Sequence, residues 1–387
     1  MPIYLIVLVT VLTHTSFKGS KVLIALFAID LGASPLTIGV LFSMYSVFPV
    51  VLSVWAGKLS DRYGYRAPML FGACGLAVGL LLPFALPALP TLFASAVLAG
   101  SCYIFYTVSV QHLIGSMGEG AARTKNYSIF SLGVGFTALM GPTTAGFAID
   151  ALGHRATYLL LGAIVMPTIA ALVFFPSLVR APPAKHKARG EQHFMDMLRD
   201  VPLRRLLITT GIIETGFELY NFFLPIYAKS LGMSASLIGL VMAGFAVALL
   251  AVRTVMPRLV RHSSEERVLS GSLWLAVATC LVFPFASGFA SLLAASFVLG
   301  LGLGCCSPLS LVLAYNRSPP GRSGEAIGVR QTVAKITEVT MPIVFGSLGT
   351  VLGMGPVFWI DAAMLAVGAW LMARDAASRL SRPTDAG

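Results

Sequence analysis

Leu31 to Gly39 read LGASPLTIG, and two hundred residues later Leu231 to Gly239 read LGMSASLIG. The register holds well beyond this stretch. Thr15 matches Thr215, Phe17 matches Phe217, Ala28 matches Ala228, Val47 matches Val247, Lys58-Leu59 matches Arg258-Leu259, Gly100 matches Gly300 and Pro142 matches Pro342. One offset kept across five apolar segments marks a duplicated unit, not chance similarity. Parallel halves related by an axis along the membrane normal place a binding site between them near the bilayer midplane.

Composition requires that the duplicated unit sit in lipid. Hydrophobic residues make up 57% of the 387-residue chain and charged residues only 11%, against roughly a quarter charged in soluble domains. A span needs about 20 apolar residues, and such stretches run almost end to end. They fall at 3–29, 35–57, 67–87, 90–114, 125–148 and 156–176, then at 205–229, 236–260, 267–286, 289–316, 325–351 and 356–374. The predicted fold is an all-α membrane protein of twelve transmembrane helices in two six-helix bundles, 1–176 and 205–387. A polar linker, 177–204, joins them and turns amphipathic around Phe194, Met197, Leu198 and Val201, as an interfacial helix does. The first segment lacks a basic n-region and a cleavage site, so it reads as a membrane helix and not as a signal peptide.

The formal charge of +11 could suggest a nucleic-acid partner, but the placement of the cations excludes that reading. Lys58, Arg62, Arg66, Arg123, Lys125, Arg180, Lys185, Lys187, Arg189, Arg258, Arg261, Arg267, Arg317 and Arg322 fall in alternate connections on one side; Arg155 and Lys229 fall on the other. By the positive-inside rule the termini and the linker are cytoplasmic, in a bacterial-type inner membrane. Five cysteines stand in apolar runs without C-x-x-C spacing or a nearby histidine, so no metal site is expected. G-x-S-x-G, H-E-x-x-H and Walker motifs are absent from the sequence, so the reading is of a non-enzyme without a cofactor, driven by an ion gradient, of protons, and not by nucleotide hydrolysis. Gly300, Gly302 and Gly304 lie in an apolar helix with no flanking strand and suit close helix packing.

After the second segment stands Gly57-Lys58-Leu59-Ser60-Asp61-Arg62-Tyr63-Gly64-Tyr65-Arg66, which resembles the signature loop of the major facilitator superfamily. The resemblance implies that Gly57 permits close helix approach, that Gly64 permits a tight turn, and that Asp61, with Arg62 and Arg66 beside it, latches the halves on the cytoplasmic side by facing the eleventh helix. Gly141-Pro142-Thr143-Thr144-Ala145-Gly146 in the fifth segment is similar to the glycine-proline motif of the family's proton-driven antiporters, in its drug:proton branch. In the fourth segment Ala96 stands where those antiporters carry an arginine.

Ionisable residues inside the membrane are costly and mark function or pairing. His14, Lys18 and Lys21 recur at spacings of four and three on one face of the first segment, and Glu214, Glu218 and Asn221 stand at the matching positions of the seventh. Low dielectric favours the neutral form of a carboxyl unless a cation stands beside it. The functional reading gives a proton to Glu214 or Glu218 and a polar or anionic cargo group to Lys18 and His14; the structural reading makes all of them ion pairs. Lys335 and Glu338, three apart in the eleventh segment, can pair locally, and Arg330 can snorkel to the cytoplasmic surface. Tyr106 and Tyr220 are further candidates for the cavity wall.

Three functional expectations follow: proton-coupled efflux of small organic molecules, import of an organic anion with protons, or a non-transporting membrane sensor. The expected partners are a small-molecule substrate and the bilayer, with the protein monomeric.

Overall fold

The computed structural model describes residues 2–117, 120–175, 179, 200–318 and 323–380. Phe194, Met197 and Leu198 of the amphipathic part of the linker lie outside these, while Val201 opens a described helix; the side chains of Asp61 and of the start of the eleventh segment also lie outside, and with them the cytoplasmic latch expected there. The described chain forms α1 (Pro2–Asp30), α2 (Pro35–Tyr63), α3 (Arg66–Ala85), α4 (Leu89–Ser116), α5 (Gly120–Phe174), α6 (Val201–Ser230), α7 (Ala235–Arg261), α8 (Glu265–Val282), α9 (Phe289–Gly304), α10 (Cys306–Asn316), α11 (Ser323–Leu352) and α12 (Met354–Leu380).

Helix α5 runs for 55 residues, about 80 Å at 1.5 Å per residue, more than twice a hydrocarbon core of about 30 Å. It reverses at Gly153, whose φ of 77° breaks the helix, and so holds the fifth and sixth expected segments. Conversely, the tenth expected segment is divided between α9 and α10 at Cys305. Nine segments among the described residues are long and apolar enough to cross a membrane. Helices α6 and α11 fall outside that set; α6 carries Glu214 and Glu218, and α11 carries Arg330, Lys335 and Glu338.

The duplicated LGxS stretch forms the same turn in both copies. Gly32 and Gly232 each adopt φ +79°. Ala33 N–H donates to Ala28 O at 2.9 Å and Met233 N–H to Ala228 O at 3.2 Å, the Schellman closure of a helix C-terminus that favours glycine. Ser34 Oγ then accepts from Thr37 N–H at 3.2 Å to start α2, and Ser234 Oγ accepts from Leu237 N–H at 3.4 Å to start α7.

The chain divides into two compact units. The first takes the helices from α1 to α5 together with Pro225–Ala243; the second takes α6 as far as Leu224 and the chain from Gly244 onward. In the first, α1 packs on α5, and α3 on α4 and α5; in the second, α8 packs on α9 and α12. The repeat extends to packing. A Cβ on Gly100 would collide with Tyr45 O, and one on Gly300 would collide with Phe245 O, the same helix crossing displaced by two hundred residues.

One ionic network closes the basic-loop end of the second unit. Arg317, with 6% side-chain exposure, reaches Asp375 Oδ2 at 2.8 Å and Glu266 Oε1 at 3.1 Å and donates to Pro202 O at 2.8 Å. Arg205 holds the other oxygen of Asp375 at 2.8 Å.

Candidate functional site

Each unit carries its own polar interior. In the first, the unbroken helix α1 puts His14, Lys18 and Lys21 on one face. His14 is 5% exposed, with its ring edge-on to Tyr103 at 5.2 Å and Tyr106 at 6.3 Å; its buried Nδ1 has no hydrogen-bond partner among the described residues. Tyr103 in turn stacks on Phe17 at 3.7 Å. Lys21 Nζ stands 5.8 Å from the Phe17 and Tyr45 ring centres, within cation-π range. Lys18 Nζ approaches Val134 O at 3.5 Å. Its Cβ lies where a side chain on Gly141 would come within 2.7 Å, so the helix-five motif presses directly on the charged face of α1.

In the second unit, Glu214, Glu218 and Asn221 lie half-buried on α6. Lys335 is ion-paired with Glu338 on α11, the local pair expected from their spacing, and stands within electrostatic reach of Glu218 and Glu214. Glu214 interacts with Arg330, Glu338 and Lys335. Three carboxylates and Lys335 thus share one partly exposed region beside Arg330, and its charge balance shifts by a full unit whenever one carboxyl takes a proton.

Several expected roles change. Arg330 does not snorkel. It is 3% exposed, with Nε donating to Ser310 Oγ at 2.8 Å and Nη2 to Ser307 Oγ at 3.0 Å, because two serines on α10 satisfy the guanidinium inside the protein. Tyr106 and Tyr220 belong to the packed interior, at 0% and 1% exposure: the Tyr106 hydroxyl meets Thr10 Oγ1 at 3.1 Å, and Tyr220 stacks on Phe245 at 4.0 Å. Among the described residues a Cβ on Gly57 would meet nothing within 4 Å. Gly64, with φ +75°, does make the tight turn. Arg62 lies over the Tyr63 ring at 5.3 Å. Arg66 donates to Leu172 O at 2.7 Å and Val173 O at 3.0 Å, capping the last carbonyls of α5.

Two acidic residues that sequence reasoning passed over have built environments. Asp361, 0% exposed in α12, accepts from Thr215 Oγ1 at 2.8 Å, with Cys280 Sγ at 4.0 Å. Its signal was a lone acid inside an apolar run. Asp150, at the end of the first limb of α5, accepts from Ala235 N–H at 3.0 Å and Ser236 N–H at 2.8 Å. Its signal was spacing, since Pro142, Gly146 and Asp150 recur every four residues. Close by, Asp30 pairs with Lys229 at 3.2 Å and approaches His154 Nδ1 at 3.5 Å. Among the described residues no group of three or more His, Cys, Asp or Glu could hold a metal.

A duplicated helical membrane fold with a charged interior in each half describes a secondary transporter, and the comparisons give its family. The profile of the Major Facilitator Superfamily matches residues 6–213 and again 206–386, and the chain belongs to that superfamily. Among its relatives, the multidrug resistance protein MdtG of Proteus mirabilis (strain HI4320) is 25% identical over 341 residues, covering 84% of this chain and 82% of that one. The quinolone resistance protein NorA of Staphylococcus aureus (strain MSSA476) is 22% identical over 345 residues, covering 87% of each. A crystal structure of a POT family transporter in complex with a thioalcohol-conjugated peptide superposes with a TM-score of 0.82 at 14% identity, over 98% of this chain and 96% of that one. A POT family transporter in complex with 5-aminolevulinic acid gives a TM-score of 0.81 at 14% identity, again over 98% and 96%. These two likenesses show the fold.

Proposed function

We propose that this transporter exports small organic molecules in exchange for protons, across a bacterial-type cytoplasmic membrane, with both termini cytoplasmic and the protein working as a monomer. The supporting observation is the cluster of Glu214, Glu218, Lys335 and Glu338 on α6 and α11, joined by relatives named for multidrug and quinolone resistance. A proton on Glu218 or Glu214 frees Lys335 to strengthen its pair with Glu338; loss of that proton restores the competition. Coupling arises if cargo binds best in one of these charge states, because a ligand shifts an equilibrium only through differential affinity. The functional bundles are residues 1–176 and 205–387, with 177–204 as linker.

The test uses inverted membrane vesicles with an imposed proton gradient and ethidium as probe. We expect gradient-driven ethidium accumulation that Glu218→Gln abolishes or uncouples. Unchanged, fully gradient-dependent accumulation in Glu218→Gln would remove Glu218 from the mechanism. The face formed by His14, Lys18 and Lys21 supports a second reading, import of an organic anion with protons. Benzoate-driven proton entry in right-side-out vesicles, lost in Lys18→Ala, would establish it in place of the first.

A further inference from the structure

Inside the second unit, α12 lies along α6 in a closed seam. Phe358 meets Phe223 edge-on at 5.7 Å between ring centres. Further along, Leu365 lies 3.5 Å from where a Cβ on Gly216 would stand, and a Cβ on Gly368 would fall 3.1 Å from Ile212. Asp361 occupies the turn between Phe358 and Leu365 and is 0% exposed. Its two oxygens meet one group each, the Thr215 hydroxyl at 2.8 Å and the Cys280 thiol at 4.0 Å. Among the described residues no cation or second carboxyl acts on it. Helix α6 brings Thr215 and α8 brings Cys280, while Glu214, the residue before Thr215, interacts instead with Arg330, Lys335 and Glu338 of α11.

A hydroxyl has one proton to give, and Thr215 Oγ1 stands 2.7 Å from Ile212 O as well as 2.8 Å from Asp361 Oδ1. A carbonyl only accepts, and so does an ionised carboxyl. With Asp361 charged, the two would compete for a single proton, and a full charge would rest in the membrane interior on a shared hydroxyl and a thiol, a state that apolar surroundings strongly disfavour. A proton on Oδ1 gives every group a partner. The carboxyl then donates to Thr215 Oγ1, Thr215 donates to Ile212 O, and Oδ2 faces the Cys280 thiol. The repeat indicates that packing alone does not ask for an acid here. Position 161, the mate of Asp361, is leucine, and so is position 80, the mate of Cys280; both leucines are 0% exposed.

We propose that Asp361 is a proton-binding site of the second unit, whose retained proton acts through Thr215 to fix the α6 turn that carries Glu214. Asp361 is thus a positioning residue. The carboxyl holds Thr215, Thr215 holds the Ile212 carbonyl, and the turn from 212 to 215 sets where Glu214 stands among Arg330, Lys335 and Glu338. The proton stays in place because Asp361 is sealed at 0% exposure, whereas Glu214 and Glu218 are half-buried. A carboxylic acid kept neutral by an apolar site can serve as a hydrogen-bond donor. The role holds whether cargo leaves or enters.

Infrared difference spectroscopy on the purified full chain, wild type against Asp361→Asn, reads the proton directly. We expect wild type to show the carbonyl stretch of a protonated carboxylic acid, shifted by deuterium oxide, and the variant to lose it. Loss of carboxylate bands instead would mean an ionised Asp361 and overturn the proposal, whatever the protein transports. A pH titration then reads the positioning role, with the acid band of Glu214 identified by its loss in Glu214→Gln. The Asp361 band should persist while that of Glu214 titrates; loss of both together would make the proton exchangeable and refute a positioning role. Asp361→Asn, which keeps a donor toward Thr215, should leave the Glu214 titration as in wild type. Asp361→Leu, which carries the residue of the first unit and no donor, should change the proton affinity of Glu214 by about fivefold, the equivalent of one net hydrogen bond. Thr215→Val should do the same, and it carries the test where the leucine variant does not fold. A Glu214 titration unmoved by either substitution would reduce Asp361 to a packing residue.

Discussion

At the residue scale, the charges divide by the company they keep. Arg317 is surrounded by Asp375, Glu266 and the Pro202 carbonyl, and removing it leaves two buried carboxylates short of a partner. Arg317→Ala should cost about 3–5 kcal/mol, read as a large fall in thermal unfolding temperature in detergent. Arg317→Lys should recover only part of that, because an ammonium cannot reproduce the forked contacts. Thr215→Val would strip Asp361 of its hydroxyl donor at nearly constant shape, at a cost of about 1–3 kcal/mol; an unfolding temperature equal to wild type would show that Asp361 has another partner. Glu218 and Lys335 differ from these groups, being in part exposed and within reach of competing partners, and their substitution should change transport more than stability.

At the scale of elements, glycine decides which helices touch. Gly100 lies on α2 at Tyr45 and Gly300 on α7 at Phe245, so the two copies of the repeat should respond alike. Gly100→Ala and Gly300→Ala should each force a backbone shift and cost about 1–3 kcal/mol. Thermal unfolding of the two variants compares them directly, and a tolerant Gly300 beside an intolerant Gly100 would show that the crossing has diverged. The glycines of α5 have another task. Gly141 presses on Lys18 and Gly146 on Ala235, so one helix supports both the charged face of α1 and the hairpin at the start of α7. The fifth-segment motif was legible as a packing device from its glycines and proline. Its continuation to Asp150 was not, because what makes Asp150 more than a surface acid is a pair of N–H groups 85 and 86 residues away.

At the scale of the whole molecule, the distribution of cations gives a topology that labelling can check. Ser287→Cys, in the turn before α9, should react with a membrane-impermeant thiol reagent added outside intact cells, and His262→Cys, in the turn before α8, only after permeabilisation. The reverse pattern would invert the orientation drawn from the positive-inside rule. The native cysteines other than Cys74 are buried and contribute little background.

The sequence alone determined the helical membrane class, the duplication and the family resemblance, because hydropathy, period and repeat register are local properties summed along a chain; where individual helices merge or break, as at Gly153 and Cys305, it did not. It also showed the Lys335–Glu338 pair, since three residues on a helix fix a distance. Tertiary structure decided that Arg330 is buried against two serines, that Tyr106 and Tyr220 are packing residues, and that Asp361 and Asp150 have partners. Those outcomes depend on which face of one helix meets which face of another, and on backbone donors that no side-chain pattern records.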